Sequence, residues 1–102
     1  MSEKMTDILL TDNKELRQFE TRIDGLTAWI EYNIMDDRVF LTHAEVPEQF
    51  DDSGLGAALV QKALEEIGRN NLKVVPACAF VKSYIRQNSK YRKLLAPGII
   101  IE

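Results

Sequence analysis

Gly54 and Gly56 stand one residue apart where a polar loop gives way to a helical pattern (VPEQFDDSGLGAAL, residues 46–59). Neither carries a Cβ, so a ligand can approach the backbone closely there. The first N–H groups of a helix lack intrahelical partners, and the helix dipole is positive at that end. Such a turn can hold a phosphate. The structural alternative makes Gly54 a turn residue and Gly56 a close-packing residue. His43 and Glu45 come just before, two residues apart on one face of an expected strand. Imidazole suits proton transfer near neutral pH, and a neighbouring carboxylate can orient it. The alternative is a hydrogen-bonded core or edge histidine. Cys78 follows a short expected strand. Its thiol could act as a nucleophile, or serve as a small buried hydrophobe.

Length and composition narrow the classes. A chain of 102 residues, 45% hydrophobic and 28% charged, fits one globular domain over 1–102 with a core of its own. The net charge is −3, from 13 basic and 16 acidic residues. That balance argues against nucleic acid or an anionic membrane as a general partner. One cysteine and one histidine argue against a zinc site and against an internal disulfide, so no metal is expected and the cytoplasm is the expected location. The first ten residues lack the apolar run of about 7–15 residues found in a signal peptide. No run approaches the roughly 18 apolar residues of a membrane-spanning helix.

The elements that must carry these groups follow from periodicity. Residues 1–7 are expected to be loose, Ile8 to Leu10 a short edge strand, and Thr11 to Lys14 a turn centred on Asp12 and Asn13. Phe19, Thr21 and Ile23 alternate with polar residues as a half-buried strand does. Asp24-Gly25 is a type I′ hairpin dipeptide. The next strand puts Leu26, Ala28, Ile30, Tyr32 and Ile34 on one face, with Trp29 and Glu31 on the other. Trp29 and Tyr32 thus face opposite ways, one to the core and one to a surface. After Asp36-Asp37 a third strand, Val39 to Val46, puts Val39, Leu41, His43 and Glu45 on one face. Pro47 ends it. Leu55, Leu59, Ala63, Leu64 and Ile67 then recur at helical spacing. Asp52 or Ser53 is the expected N-cap, and Asn70-Asn71 the expected stop. Leu72 to Pro76 reads as a buried strand parallel to the third, because a strand–helix–strand crossover implies parallel pairing. Phe80 to Gln87 starts a second helix with Phe80, Val81, Tyr84 and Ile85 on one side. Ile99 to Ile101 reads as a last strand, or as an exposed apolar tail. The order is α+β: an antiparallel meander followed by a β-α-β-α unit.

From about Phe19 to Leu94 the chain resembles the GCN5-related N-acetyltransferase superfamily, in particular its branch of minimal members. The resemblance rests on His43-Ala44-Glu45-Val46-Pro47, then Ser53-Gly54-Leu55-Gly56-Ala57-Ala58-Leu59-Val60, then Leu72 to Pro76, Cys78, Phe80-Val81, Tyr84-Ile85 and Tyr91. It implies splayed parallel central strands and acetyl-CoA as cosubstrate. The implied cofactor-binding residues are Val46, Ser53, Gly54, Leu55, Gly56, Ala57 and Ala58, with the pyrophosphate on the loop amides and the pantetheine arm in the gap between the splayed strands. Lys82 and Arg86 join them from a stretch that holds five basic residues and no acid between Lys82 and Lys93. Such a stretch suits the phosphorylated end of coenzyme A or forms a solvated helix face. The implied catalytic residues are His43, Cys78 and Tyr84. His43 would deprotonate an attacking ammonium. Cys78 would accept the acetyl group or stand beside the thioester. Tyr84 would protonate the departing thiolate or pack.

Three positions depart from the family pattern. Asp51 stands where Arg or Gln is usual, three residues before Gly54, and weakens the case for pyrophosphate. Ala44 stands where the minimal branch often has Thr, and Ala79 where it often has Pro. The resulting expectation is an N-acetyltransferase acting on an amine, as a monomer or weak dimer. Larger relatives wall the acceptor site with two helices between their first strands. Here Asp24-Gly25 joins those strands directly, which favours a protein or peptide acceptor. The alternative is a coenzyme A- or partner-binding module with little turnover.

Overall fold

The computed structural model describes residues 7–101. The loose segment expected over residues 1–7 lies, but for Asp7, outside them. One five-stranded sheet has the order β1-β2-β3-β4-β5. Its strands are β1 (Thr11–Asn13), β2 (Gln18–Ile23), β3 (Leu26–Met35), β4 (Arg38–Glu45) and β5 (Lys73–Pro76). The first four pair antiparallel, and β5 pairs parallel to β4. Helix α1 (Leu55–Arg69) makes the crossover, and α2 (Ala79–Gln87) follows β5. The α+β meander with its β-α-β-α unit is therefore present as expected.

Local chemistry sets each junction. Asp24 and Gly25 both have positive φ, 53° and 78°, as a type I′ turn requires, and Ile23 pairs directly with Leu26. At the end of α1, Asn71 adopts φ 59°, its N–H reaches the Gly68 carbonyl, and the Leu72 N–H reaches the Ile67 carbonyl. Those two bonds form a Schellman stop, with asparagine in the left-handed position.

The core lies on one face of the sheet. Phe19, Ala28, Ile30, Tyr32, Val39 and Leu41 meet Leu55, Leu59, Ala63, Leu64 and Ile67 of α1 in one buried cluster. Val81, Ile85 and Tyr91 extend it. On the other face of β2 and β3, Glu20, Arg22, Thr27, Trp29 and Glu31 are half-buried or exposed. Tyr32 is thus the core aromatic and Trp29 the surface one.

Five expectations need correction. Residues 8–10 are not the edge strand; Thr11–Asn13 is, pairing Thr11 with Glu20 and Asn13 with Gln18, and the turn falls at residues 14–17. Asp12 is held in that strand because it accepts a 2.5 Å hydrogen bond from the Tyr32 hydroxyl. Ile34 keeps its place in the alternation but is exposed, because β3 there runs past the core. Phe80, expected to be buried with Val81, is 45% exposed. Ile99 to Ile101 is neither strand nor free tail: Ile101 is buried and its carbonyl accepts from Arg92, while β5 is bridged instead by Leu95.

The fifth correction concerns β4. Glu31 pairs with His43, but Tyr32 pairs with Leu41, so Thr42 is an extra residue in β4. This β-bulge reverses the alternation. Val39 and Leu41 face the core, while His43 and Glu45 share the opposite face with Glu31 and Trp29. His43 is therefore not on the face of Val39 and Leu41.

Two isoleucines of β3 test this layering. Ile30 is fully buried and Ile34 is 55% exposed. Ile30→Ala should lower the unfolding free energy by about 2–5 kcal/mol and Ile34→Ala by less than about 0.5 kcal/mol, read by urea denaturation.

Candidate active site

The site begins where two parallel strands stop pairing. β5 follows β4 from Arg38↔Lys73 to Leu41↔Pro76, and the Ala77 N–H still reaches the Leu41 carbonyl at 3.0 Å. Beyond Leu41, β4 runs on to Glu45 without a β5 partner. The parting coincides with the extra residue Thr42, whose hydroxyl donates to the Glu31 carbonyl at 3.2 Å. An increased local twist is what a bulge produces. A gap edged by strand backbone therefore opens beside His43, Ala44 and Glu45.

The loop after β4 leads from this gap to α1. A single 3-10 turn, Glu48–Phe50, anchors it through buried Phe50. Gly54 takes φ 85° as the residue before α1, a conformation that favours glycine. No side chain caps the helix. Ser53, one of the two expected caps, instead donates to the Phe50 carbonyl at 2.7 Å and accepts from the Leu55 N–H at 3.1 Å. The Ala58 N–H reaches the Gly54 carbonyl. Leu55 and Ala58 thus use their amides within the chain. Among the described residues, the N–H groups of Gly56 and Ala57 have no acceptor.

Gly56 is also a packing necessity. A Cβ there would lie 2.7 Å from the Phe80 ring and 3.5 Å from Val46. The ends of β4, α1 and α2 therefore converge on this one residue. Phe80 stands over the α1 start, a role that its helical spacing from Tyr84 did not disclose. Lys82 and Arg86 are four apart and exposed on α2, the helix that starts beside Gly56. Lys90 and Arg92 use their side chains within the fold, and Lys93 its backbone carbonyl. Lys90 lies over the Tyr91 ring, Arg92 donates to the Ile101 carbonyl, and the Lys93 carbonyl accepts from Lys73. The loop itself carries three exposed acids, Glu48, Asp51 and Asp52.

The proposed chemical groups are dispersed around the gap. His43 Nε2 lies 2.9 Å from Glu45 Oε1, and both side chains are about half exposed (51% each). Cys78 is a free, half-buried thiol at the residue preceding α2. Tyr84 belongs to another cluster. Its ring lies 5.8 Å from that of Tyr91, its hydroxyl donates to Tyr91, and Tyr91 donates to Glu65 at 3.3 Å. Burial first, then Tyr91, pushes the Tyr84 phenol up to about 12. Burial and Glu65 raise Tyr91 as well. Glu65 sits nine residues beyond Gly56, about 13 Å further along α1. A concavity of about 660 Å³, lined by Lys14, Arg17, Tyr32, Asn33 and Glu66, sits by the far end of α1. No described group of His, Cys, Asp and Glu could hold a metal ion, and no described helix is long and apolar enough to cross a membrane.

Comparison with known proteins agrees with this fold. A family model described as GCN5-related N-acetyl-transferase matches residues 18–94. Protein NATD1 of Mus musculus is 27% identical over 95 residues, covering 88% of this chain and 86% of its own length. Protein NATD1 of Xenopus tropicalis is 27% identical over 97 residues, covering 90% and 89%. The NMR solution structure of a GCN5-like protein from Staphylococcus aureus superposes with a TM-score of 0.68 at 22% identity, covering 90% of this chain and 91% of that one. That likeness bears on the fold.

The tyrosine cluster yields a pH prediction. Tyr32 and Tyr84 are both raised from 10.0 to about 12, burial being the largest cause for each. The unfolded chain ionises its tyrosines near pH 10, while the folded one keeps these two protonated. The stability that this contributes is complete below pH 10 and is lost as the pH rises towards 12. Tyrosinate absorbance should therefore develop above the ordinary range, and urea midpoints should fall across that window.

Proposed function

The chain belongs to the GCN5-related N-acetyltransferase family, and on that premise we propose that it transfers the acetyl group of acetyl-CoA to an amine of a protein or peptide. The observation that carries the reading is a coincidence of two openings. β4 leaves β5 after Leu41, and the unpaired amides of Gly56 and Ala57 lie at the end of the loop leading from that gap. A pantetheine arm can line the strand edge while a pyrophosphate takes the amides. Val46, Gly54 and Gly56 edge the path between the two openings, and Lys82 and Arg86 offer charge to the phosphorylated end.

Acetyl-CoA would supply the acetyl group as an activated thioester. His43 takes the proton from the incoming ammonium, and Glu45 holds its ring through the 2.9 Å contact. Backbone N–H groups on the free edge of β4 stabilise the oxyanion as it forms. Cys78, at the start of α2, stands as a polar neighbour of the thioester. Tyr84 packs. A phenol near 12 gives its proton to a thiolate of ordinary basicity only against a disfavour of roughly a thousandfold. The leaving thiolate is protonated from solvent, which reaches the half-exposed His43 freely.

A second reading, binding with little turnover, is favoured by the acids Glu48, Asp51 and Asp52 before α1. Calorimetric titration with acetyl-CoA decides first. The wild type should give heat and Gly56→Glu none, since a longer side chain there meets Phe80 and puts an acid at the amides. Silence from the wild type at millimolar ligand would end both readings. His43→Ala should keep the heat and lower peptide acetylation by about 10²–10⁴-fold. Retained turnover in that variant would remove His43 as the base.

A further inference from the structure

The strand register assembles a surface on the open side of the sheet. Glu20, Trp29 and Glu45 form one row across β2, β3 and β4, and Gln18, Glu31 and His43 form the next. Directly paired residues point to the same side, so all six share the uncovered face. Three of them are carboxylates. The cations nearest in the ladder are limited to Arg22, paired with Thr27 in the row beyond. Trp29 lies among the acids, half-buried, with its indole N–H donating to Glu31 at 3.0 Å. The basic side chains Lys82 and Arg86 belong to the helix beside Gly56, while the acids flank His43.

We propose that this face is the dock for the acceptor: an extended, lysine- or arginine-rich segment of a partner protein, lying across β2–β4 with its target amine at His43. The proposal rests on the acetyl-transfer reading for the identity of the amine. Charge complementarity carries it. Neighbouring strands lie about 4.8 Å apart and same-face residues along a strand about 7 Å, so Glu20 and Glu45 stand about 10 Å apart with Glu31 about 8 Å from each, within reach of long basic side chains about 7 Å apart on an extended chain. Basic residues at alternate positions therefore meet Glu20 and Glu45 in one row and Glu31 in the next. The Trp29 ring offers a cation–π surface between them. The direct Asp24-Gly25 connection leaves this face bare of any helix between β2 and β3. An anionic cosubstrate is repelled from the same face, so the two substrates are kept to separate sides of β4.

Trp29 is the single tryptophan and reports on the dock without any turnover. The probe is a synthetic peptide of alternating lysine and serine, with its glutamate–serine counterpart as control, added without acetyl-CoA. The lysine peptide should change Trp29 fluorescence saturably and the glutamate peptide should not. Raising the salt concentration should weaken the binding. Glu20→Lys should weaken it about tenfold, and Thr27→Lys about threefold, with acetyl-CoA heat unchanged in both. Thr27→Lys removes no hydrogen-bond partner, so it covers the case in which loss of Glu20 disturbs β1. A silent Trp29, an equal response to the glutamate peptide, or indifference to both variants overturns the dock. Acetylation of the lysine peptide with Trp29 silent overturns the dock while leaving the transfer reading intact. A Trp29 response that obeys the charge rules without acetylation supports the dock and overturns the transfer reading.

Discussion

The structure turns on one extra residue in one strand. Antiparallel pairing demands that β3 and β4 keep a two-residue alternation, and Thr42 breaks it between Leu41 and His43. Without that break His43 and Glu45 would share the face of Val39 and Leu41, which is closed by α1. An imidazole there would be sealed under a helix, where neither an amine nor water could reach it. The bulge carries His43 to the uncovered face and marks the point where β4 parts from β5. A single insertion thus sets the position of His43 and the opening of the gap.

The second constraint is crowding at Gly56. Three elements meet around it, because Val46 and Phe80 both approach where a side chain would be. This settles one alternative raised by the sequence: Gly56 is a close-packing residue. It does not compete with the phosphate reading, since the crowding falls on the Cβ side and the free amides belong to the helix end. Gly54 serves differently. Its left-handed φ turns the loop into α1, and Ser53 secures that turn by bonding forward to Leu55 and back to Phe50.

Much of the fold was legible in the sequence because local chemistry and tertiary packing agree. Asp24-Gly25 could form only a tight hairpin, the alternation of β3 named its core face, and Asn71 named the end of α1. The misses have physical causes. Tyr32 reaches across to Asp12 and holds it in a strand, a contact twenty residues long in sequence that turn propensity cannot see. Phe80 belongs to an amphipathic pattern, yet the neighbourhood of Gly56 draws its ring to the surface. The bulge did leave a trace. Leu41 and Ala44, the core-facing apolar positions on either side of Thr42 and His43, stand three residues apart, where an unbroken strand keeps even steps. That shift of parity is the signature of an inserted residue. At the site, the glycine loop was readable as a motif, whereas the pairing of Tyr84 with Tyr91 and Glu65 was not, because it joins three separate elements.

The acids before α1 look adverse to a phosphorylated ligand, and magnitudes decide how adverse. An exposed carboxylate about 8 Å from a unit negative charge costs about 0.5 kcal/mol in water, and salt screens part of it. Two backbone N–H groups donating to a charged oxygen contribute about 1.5–3 kcal/mol each. The unpaired amides of Gly56 and Ala57 therefore outweigh Asp51 and Asp52 so long as those two side chains remain solvated, as their exposure indicates. The balance reverses only if an acid is drawn into the gap and desolvated beside the phosphate. Ser53 opposes that by fixing the last turn of the loop through Phe50, whose buried ring ties the acidic segment to the core. The same reasoning applies in reverse to the dock proposed on the far side of β4. There no backbone amide has to be reached, and the acids would act on a cationic partner through the field they share.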